Sequence, residues 1–286
     1  MQLQVFRHIS ALRDQLDTLR AEGKRIALVA TMGNLHEGHL QLIRRAHEEA
    51  DVVVASIFVN RLQFGLNEDW DQYPRTFESD CDKLDAENCH YLFFPEETEM
   101  YPNGMDGQTR VVCPAMTDIW CGASRPGHFE GVTTVVTKLF NIVEPDVAIF
   151  GQKDFQQLAI IRRMAADLCM GIDIIGASVA RDNDGLALSS RNAYIEPEER
   201  PRANQLNLSL NWLRDQIIGG RRDYRELEKE AVKQVTEAGF RVDYMAVCSA
   251  QNLQPAVDDD RDLAILGALF TARARLIDNV TLKLDV

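Results

Sequence analysis

IALVATMGNLHEGHLQLIRRAHEEA, residues 26–50, is the stretch on which the reading of this chain turns. IALVA (26–30) is a short continuous apolar run, and Leu35, Leu40, Leu42, Ile43 and Ala46 recur at roughly helical spacing over residues 35–50. TMGNLHEGH (31–39) therefore joins the carboxyl end of a buried strand to the start of a helix. In an open parallel α/β sheet that edge is where ligands bind, and the helix start offers unsatisfied N–H groups to an anion such as a phosphate. Gly33 and Gly38 let a ligand approach the backbone, and His36 and His39 stand at the helix start. A His-x-x-His pair alone is equally a helix-end or surface feature. It lacks the HExxH spacing of a zinc protease, and no cysteine lies close enough to another to suggest a metal-binding pair.

Outward from this segment, apolar runs alternate with amphipathic ones. DVVVASIFV (51–59), YLFF (91–94), DVAIF (146–150) and IDIIGA (172–177) read as buried strands. Helical stretches are expected at 10–22, 76–88, 131–143 and 155–170 in addition to 35–50. That alternation predicts right-handed βαβ crossovers and an α/β, doubly wound parallel sheet over residues 1–184. From residue 185 to 286 the texture changes. Charged helices are expected at 198–218 and 223–239 around the Gly219-Gly220 break, then strands at 242–248, 263–270 and 280–284, which predicts a smaller α+β domain. DDDRD (258–262) reads as a solvated turn.

Composition narrows the function. The chain has 286 residues, 45% hydrophobic and 26% charged, ordinary for a globular protein. No apolar tract reaches the length of a membrane span, and MQLQVFRHIS has no signal-peptide core, so a cytoplasmic protein is expected. The six cysteines form no framework and are expected to be reduced. A net charge of −13 argues against nucleic acid or an anionic membrane as partner.

Four further segments carry candidate chemistry. NRLQFG (60–65) places Asn60 and Gln63 after the second strand, as neutral hydrogen-bonding groups for a polar substrate. SRPGHF (124–129) sets Arg125 and His128 around a Pro-Gly turn. GQKD (151–154) follows DVAIF and offers a lysine and an aspartate for a polyphosphate with its Mg²⁺, with Gln156 and Gln157 on the following helix. LALSSRN (186–192) adds two hydroxyls and a guanidinium suited to clamping a phosphoryl transition state. P-loop, GxGxxG and GxSxG patterns are absent.

TMGNLHEGH, FVNRLQFG, YPRT, RPGHFEGV, KLFN, GQKDFQQL and LALSSRN occur in order through the first two thirds of the chain. Together they closely resemble the pantothenate synthetase (pantoate–β-alanine ligase) family. The resemblance implies a Rossmann-like sheet of the nucleotidyltransferase type, a carboxyl-terminal lid domain and a homodimer. It also implies condensation of (R)-pantoate with β-alanine at the expense of ATP, giving (R)-pantothenate, AMP and diphosphate through an enzyme-bound pantoyl adenylate. By matching position, ATP binding falls to Thr31, Met32, Gly33, His36, Gly38 and His39, to Gly151, Gln152, Lys153 and Asp154, to Ala180 through its backbone, and to Leu188, Ser189, Ser190 and Arg191. His39, His36, Lys153 and Arg191 carry the catalysis, His39 as proton donor. Gln63 and Gln157 hold pantoate, Gln63 also faces β-alanine, and Asn60 stands beside them. Mg²⁺ comes with the ATP phosphates, its protein ligands open, Asp80 being one candidate.

Two positions depart from the family pattern. Where the family reads VNPxQF this chain has Arg61, which restores backbone freedom and a donor, and either loosens Gln63 or adds positive charge for pantoate. Where Leu-Glu is common before RPGHF, the chain has Trp120-Cys121. Two other classes compete with a ligase. A nucleotidyltransferase that leaves its product adenylated fits less well with the neutral Gln63 and Gln157. A silent nucleotide-binding regulator fits less well with intact His36, His39, Lys153 and Arg191.

Overall fold

The computed structural model describes residues 2–65 and 70–284. The chain divides into two compact units, Met1–Thr117 with Arg125–Gly151 and Ile160–Ala177, and Asp118–Ser124 with Gln152–Ala159 and Ser178–Val286.

The first unit is built on six parallel strands: β1 (Gln4–Phe6), β2 (Ile26–Thr31), β3 (Val52–Ile57), β4 (Tyr91–Phe93), β5 (Val147–Gly151) and β6 (Asp173–Ala177), in the order β1-β4-β3-β2-β5-β6. β3 is buried along its whole length, as expected of a strand covered on both faces. Helix α2 (Glu37–Glu49) turns Leu42, Ile43 and Ala46 onto Ala27, Val29, Val53 and Ala55. Alternate strand residues point the other way, and α1 (Ile9–Ala21) and α6 (His128–Val143) pack together, α6 against β2. The sheet is thus doubly wound. The chain leaves β2 in one direction toward β3 and β4, and returns to β2's other side as β5. The carboxyl ends of β2 and β5 flank that switch point, where an open α/β sheet takes its ligand.

The expected strands and helices appear within a few residues of their predicted ends, with informative exceptions. β1 has no alternating apolar signal because it is a half-exposed edge strand. α6 starts at His128, three residues early, because Gly127 (φ +80) makes the left-handed turn into it. α3 (Phe77–Ala86), α4 (Glu97–Met100), α5 (Cys121–Ser124) and α7 (Phe155–Asp167) complete the helices up to residue 177, of which α4 and α5 are too short to show a period.

The second unit carries antiparallel β7 (Arg241–Ser249), β8 (Asp262–Phe270) and β9 (Arg275–Lys283) with α8 (Gln205–Ile218) and α9 (Tyr224–Glu237). Leu206, Leu210 and Leu213 of α8 and Leu227, Ala231 and Val235 of α9 meet Val247, Leu263 and Ile265 of the sheet. α8 begins seven residues later than its expected start, because Arg200–Arg202, with a proline in it, forms a 3-10 turn instead. β9 begins five residues earlier, since the buried Asp278 and Asn279 interrupt its apolar pattern. All six cysteines are free thiols.

One contact in the first unit sets the distance between α6 and the 3-10 turn Arg61–Gln63. A Cβ at Gly131 would stand 2.4 Å from the Leu62 carbonyl oxygen and 2.6 Å from the Gln63 Cα. Both neighbours are backbone, so Gly131→Ala must push the turn away from the helix. We expect a loss of about 1–3 kcal/mol in urea-unfolding stability, typical of overpacking; an unchanged midpoint would show the contact to be slack.

Candidate active site

The loop after β2 is held from beneath by a buried carboxylate. Gly33 (φ +82) and Asn34 (φ +51) are consecutive left-handed residues, which turns the N–H groups of Asn34 and Leu35 inward. Asp80, 1% exposed, accepts both at 2.9 and 2.8 Å and the Thr76 hydroxyl at 3.0 Å. A side chain at position 33 would press on Asp80 Oδ2 and on Ile57. Thr31 Oγ1 donates to the Ser56 carbonyl at 2.8 Å and accepts the Gly33 N–H at 3.1 Å. Asp80 is therefore a loop anchor.

His36 is the N-cap of α2. Its Nδ1 accepts the Gly38 N–H at 3.1 Å, while His39 Nδ1 accepts the His36 N–H at 3.3 Å, a reciprocal capping box made of two histidines. The rings lie 4.1 Å apart between centroids. Because both Nδ1 atoms accept, both protons sit on Nε2, an assignment that follows from the partners. Each imidazole is thus prepared as an Nε2–H donor beside the helix's own N–H groups.

Gln63 is positioned from three sides. Asn60 Nδ2 donates to its Oε1 at 3.2 Å, its Nε2 lies 3.0 Å from Met32 Sδ, and its carbonyl is 2.8 Å from His128 Nδ1. Arg125 Nη1 is 2.9 Å from His128 Nε2; since arginine only donates, Nδ1 carries the His128 proton and donates to the Gln63 carbonyl. Asn60 also donates to the Gly131 carbonyl at 3.1 Å and accepts the Tyr101 hydroxyl at 2.8 Å. Burial raises the Tyr101 phenol well above its ordinary range, so it stays a donor. Asn60 is fully buried with its amide committed inside the protein. Through the bond to Oε1, Asn60 holds Gln63 from the interior. Arg61 lies over the Trp70 ring at 5.0 Å, so its guanidinium is engaged there.

Gly151 closes β5 and pairs with Ala177. In the second unit Gln152–Asp154 forms a 3-10 turn in which Lys153 Nζ is 3.8 Å from Asp154 Oδ2. Lys153, Ser189 and Asn192 line one cavity there. The loop bearing Ser189, Ser190 and Arg191 is fixed at its root by the Leu188 N–H on the Ala180 carbonyl at 2.8 Å, and Ser189 Oγ caps the Arg191 N–H at 3.2 Å. Gln157 is half-buried on the first turn of α7. Gln156, beside it, is buried and holds residues 119–121 through the Ile119 carbonyl and the Cys121 N–H. Asp80 as an anchor and Tyr101 escaped sequence reasoning because neither lies in a motif; a carboxylate four residues before Leu84, on the one buried face of α3, was the available signal for the first.

A family model described as pantoate-beta-alanine ligase matches residues 4–281. The pantothenate synthetase of Saccharophagus degradans is 60% identical over 281 residues, covering 98% of this chain and 99% of its own. Among solved structures, pantothenate synthetase from Thermus thermophilus superposes with a TM-score of 0.90 at 41% identity, covering 98% of this chain and 99% of that one. Pantoate-beta-alanine ligase from Francisella tularensis, solved with beta-gamma ATP and beta-alanine, gives 0.78 at 31% identity, covering 97% of each chain. This chain belongs to the pantoate–β-alanine ligase family.

Proposed function

We propose that this protein condenses (R)-pantoate with β-alanine, using ATP and releasing AMP and diphosphate, by way of an enzyme-bound pantoyl adenylate. The observation that carries the reading is the His36–His39 cap, which prepares two Nε2–H donors at the start of α2, at the ligand-binding edge of the sheet. A carboxylate oxygen of pantoate attacks the α-phosphorus, and the bond to the bridging oxygen of the leaving diphosphate breaks. Two anions must approach each other, so donors preset for the developing charge contribute most. His39 and His36 donate from Nε2, Lys153 and Arg191 meet the β- and γ-phosphates, and Ser189 and Ser190 close over them. Gln63, fixed by Asn60 and His128, orients pantoate, and Gln157 provides a second amide. The amine of β-alanine then attacks the acyl carbon and AMP departs, a step that depends mainly on alignment. Thr31, Met32 and Gly33 shape the loop after β2, Gly151, Gln152 and Leu188 offer backbone groups to ATP, and Ala180 offers its main chain to adenine.

Among the described residues no three His, Cys, Asp or Glu side chains gather as a metal site. The donors present suit Mg²⁺ carried on ATP oxygens, where it would neutralise phosphate charge, with Asp154 as the exposed carboxylate beside Lys153. The family resemblance supports a homodimer and a cytoplasmic location; among the described residues no helix is long and apolar enough to cross a membrane.

AMP formation that requires both pantoate and β-alanine tests the overall reading, and AMP release without β-alanine dependence would overturn it. His39→Glu keeps an acceptor where capping boxes use one but has no N–H to donate. We expect unchanged melting and pantoate-dependent diphosphate release reduced roughly 10²-fold or more; near-normal release would take His39 off the catalytic list. Lys153→Ala should impair adenylation while leaving turnover of synthetic pantoyl adenylate with β-alanine nearly intact, and equal damage to both steps would contradict the assignment. For Arg61→Pro, Asn60 already has the extended backbone that precedes proline (φ −77, ψ 106). The lost contact with Trp70, about 0.5–1 kcal/mol, is offset by about 0.4–1 kcal/mol from the proline. Pantoate affinity should stay within about twofold at low and high salt, since the guanidinium is turned to Trp70; a salt-sensitive loss would assign the charge to pantoate instead.

A further inference from the structure

We propose that Asn279, backed by Asp278, is a positioning residue for adenylation, acting through Lys153. The inference rests on the role given to Lys153 above. Asp278 and Asn279 are neighbours on β9, 5% and 4% exposed, in a strand otherwise suited to apolar residues. Buried side chains of this kind are stable only with their hydrogen bonds made. Successive strand residues point to opposite faces, so the pair reaches two different loops.

Asn279 Nδ2 donates to the carbonyls of Gln152 and Lys153, both at 2.8 Å. Only the amide nitrogen can serve two carbonyls, which settles the orientation of the group. The two bonds grip the peptides on either side of the Lys153 Cα and so fix the direction in which the lysine side chain leaves. On the other side, Asp278 takes a forked pair from Arg181 at 2.7 and 3.0 Å and a bond from Asn207 at 3.1 Å. Arg181 donates further to the Gly185 and Asn279 carbonyls at 3.0 and 3.3 Å. Its chain neighbour Ala180 receives the Leu188 N–H that roots the Ser189–Arg191 loop. Asp278 and Lys153 line the same cavity as Ser189. One strand thereby ties the lysine turn and the serine loop to a common frame, and the Asp278 charge is met by Arg181 within that frame.

A purely structural role and a positioning role differ in which half-reaction suffers. Asn279→Ala, in the full-length protein, should reduce pantoate-dependent diphosphate release at saturating substrates by roughly 10- to 100-fold, as misplacement of a charged group does. Turnover of synthetic pantoyl adenylate with β-alanine should stay within about twofold. In a Lys153→Ala background the same change should add less than about twofold, because coupled residues are non-additive. Asn279→Ser, which keeps one donor, should fall between wild type and Asn279→Ala and serves if the alanine variant does not fold. Equal loss in both half-reactions, full additivity with Lys153→Ala, or a folded Asn279→Ser with wild-type kinetics in a background where Lys153→Ala is impaired would overturn the inference. Should Lys153→Ala itself leave adenylation intact, the reading of Lys153 fails first and Asn279 loses its proposed target with it.

Discussion

The Asp80 carboxylate accepting the N–H groups of Asn34 and Leu35 is the interaction on which the loop after β2 depends. Two adjacent residues in left-handed backbone, one of them not glycine, leave consecutive N–H groups pointing at the protein interior. Without an acceptor they would be buried and unpaired, at about 1–3 kcal/mol each. Charge-assisted bonds to a carboxylate are roughly twice as strong as neutral ones, and Asp80 lies in the first turn of α3, where a helix favours negative charge. With that loop fixed, His36 arrives at the N-cap of α2 in extended conformation, and the two histidines can cap each other.

The three histidines around these loops show how partners assign chemistry to one residue type. His36 and His39 accept backbone N–H groups on Nδ1 and carry their protons on Nε2. His128 does the reverse: its Nδ1–H goes to the Gln63 carbonyl and its Nε2 to Arg125. Both of its ring nitrogens are committed inside the protein, which makes it a clamp on the Gln63 main chain. The same division holds for the amides, with Asn60 consumed by Gln63, Gly131 and Tyr101 while Gln63 is what they hold in place.

Long β-branched runs such as residues 51–59 declared the buried strands, and the 3.6-residue spacing of Leu35 to Ala46 declared α2, because both periods report burial directly. β9 extends beyond its expected start because Asp278 and Asn279, whose polarity is explained only by loops distant in sequence, interrupt its apolar pattern. The same holds for Asp80, which pairs with residues more than forty positions earlier. The motifs put His36, Gln63 and Lys153 on the segments that follow β2, β3 and β5, where the structure has them. What they could not distinguish is which amide is committed to holding the other, since Asn60 and Gln63 look alike in sequence and differ only in where their hydrogen bonds go.

The departure at Trp120-Cys121 is resolved by charge balance within the second unit. Arg275, largely buried, has Asp243 at 2.7 Å as its counter-ion, and its Nη2 is 3.4 Å from Cys121 Sγ. The Tyr244 hydroxyl lies 3.1 Å from the same sulfur, and burial, then the nearby Cys121, hold that phenol well above its ordinary range. A glutamate at position 121 would be a second carboxylate on a guanidinium already neutralised, so a thiol fits there without leaving an uncompensated charge. Trp120 accepts a left-handed backbone (φ +49), a strain of about 1–3 kcal/mol for such residues, and its indole N–H is met by the Leu253 carbonyl at 2.8 Å. The Cys121 N–H in turn is held by Gln156, next to Gln157 on α7. The substituted pair thus keeps the anchorage of the first turn of α7.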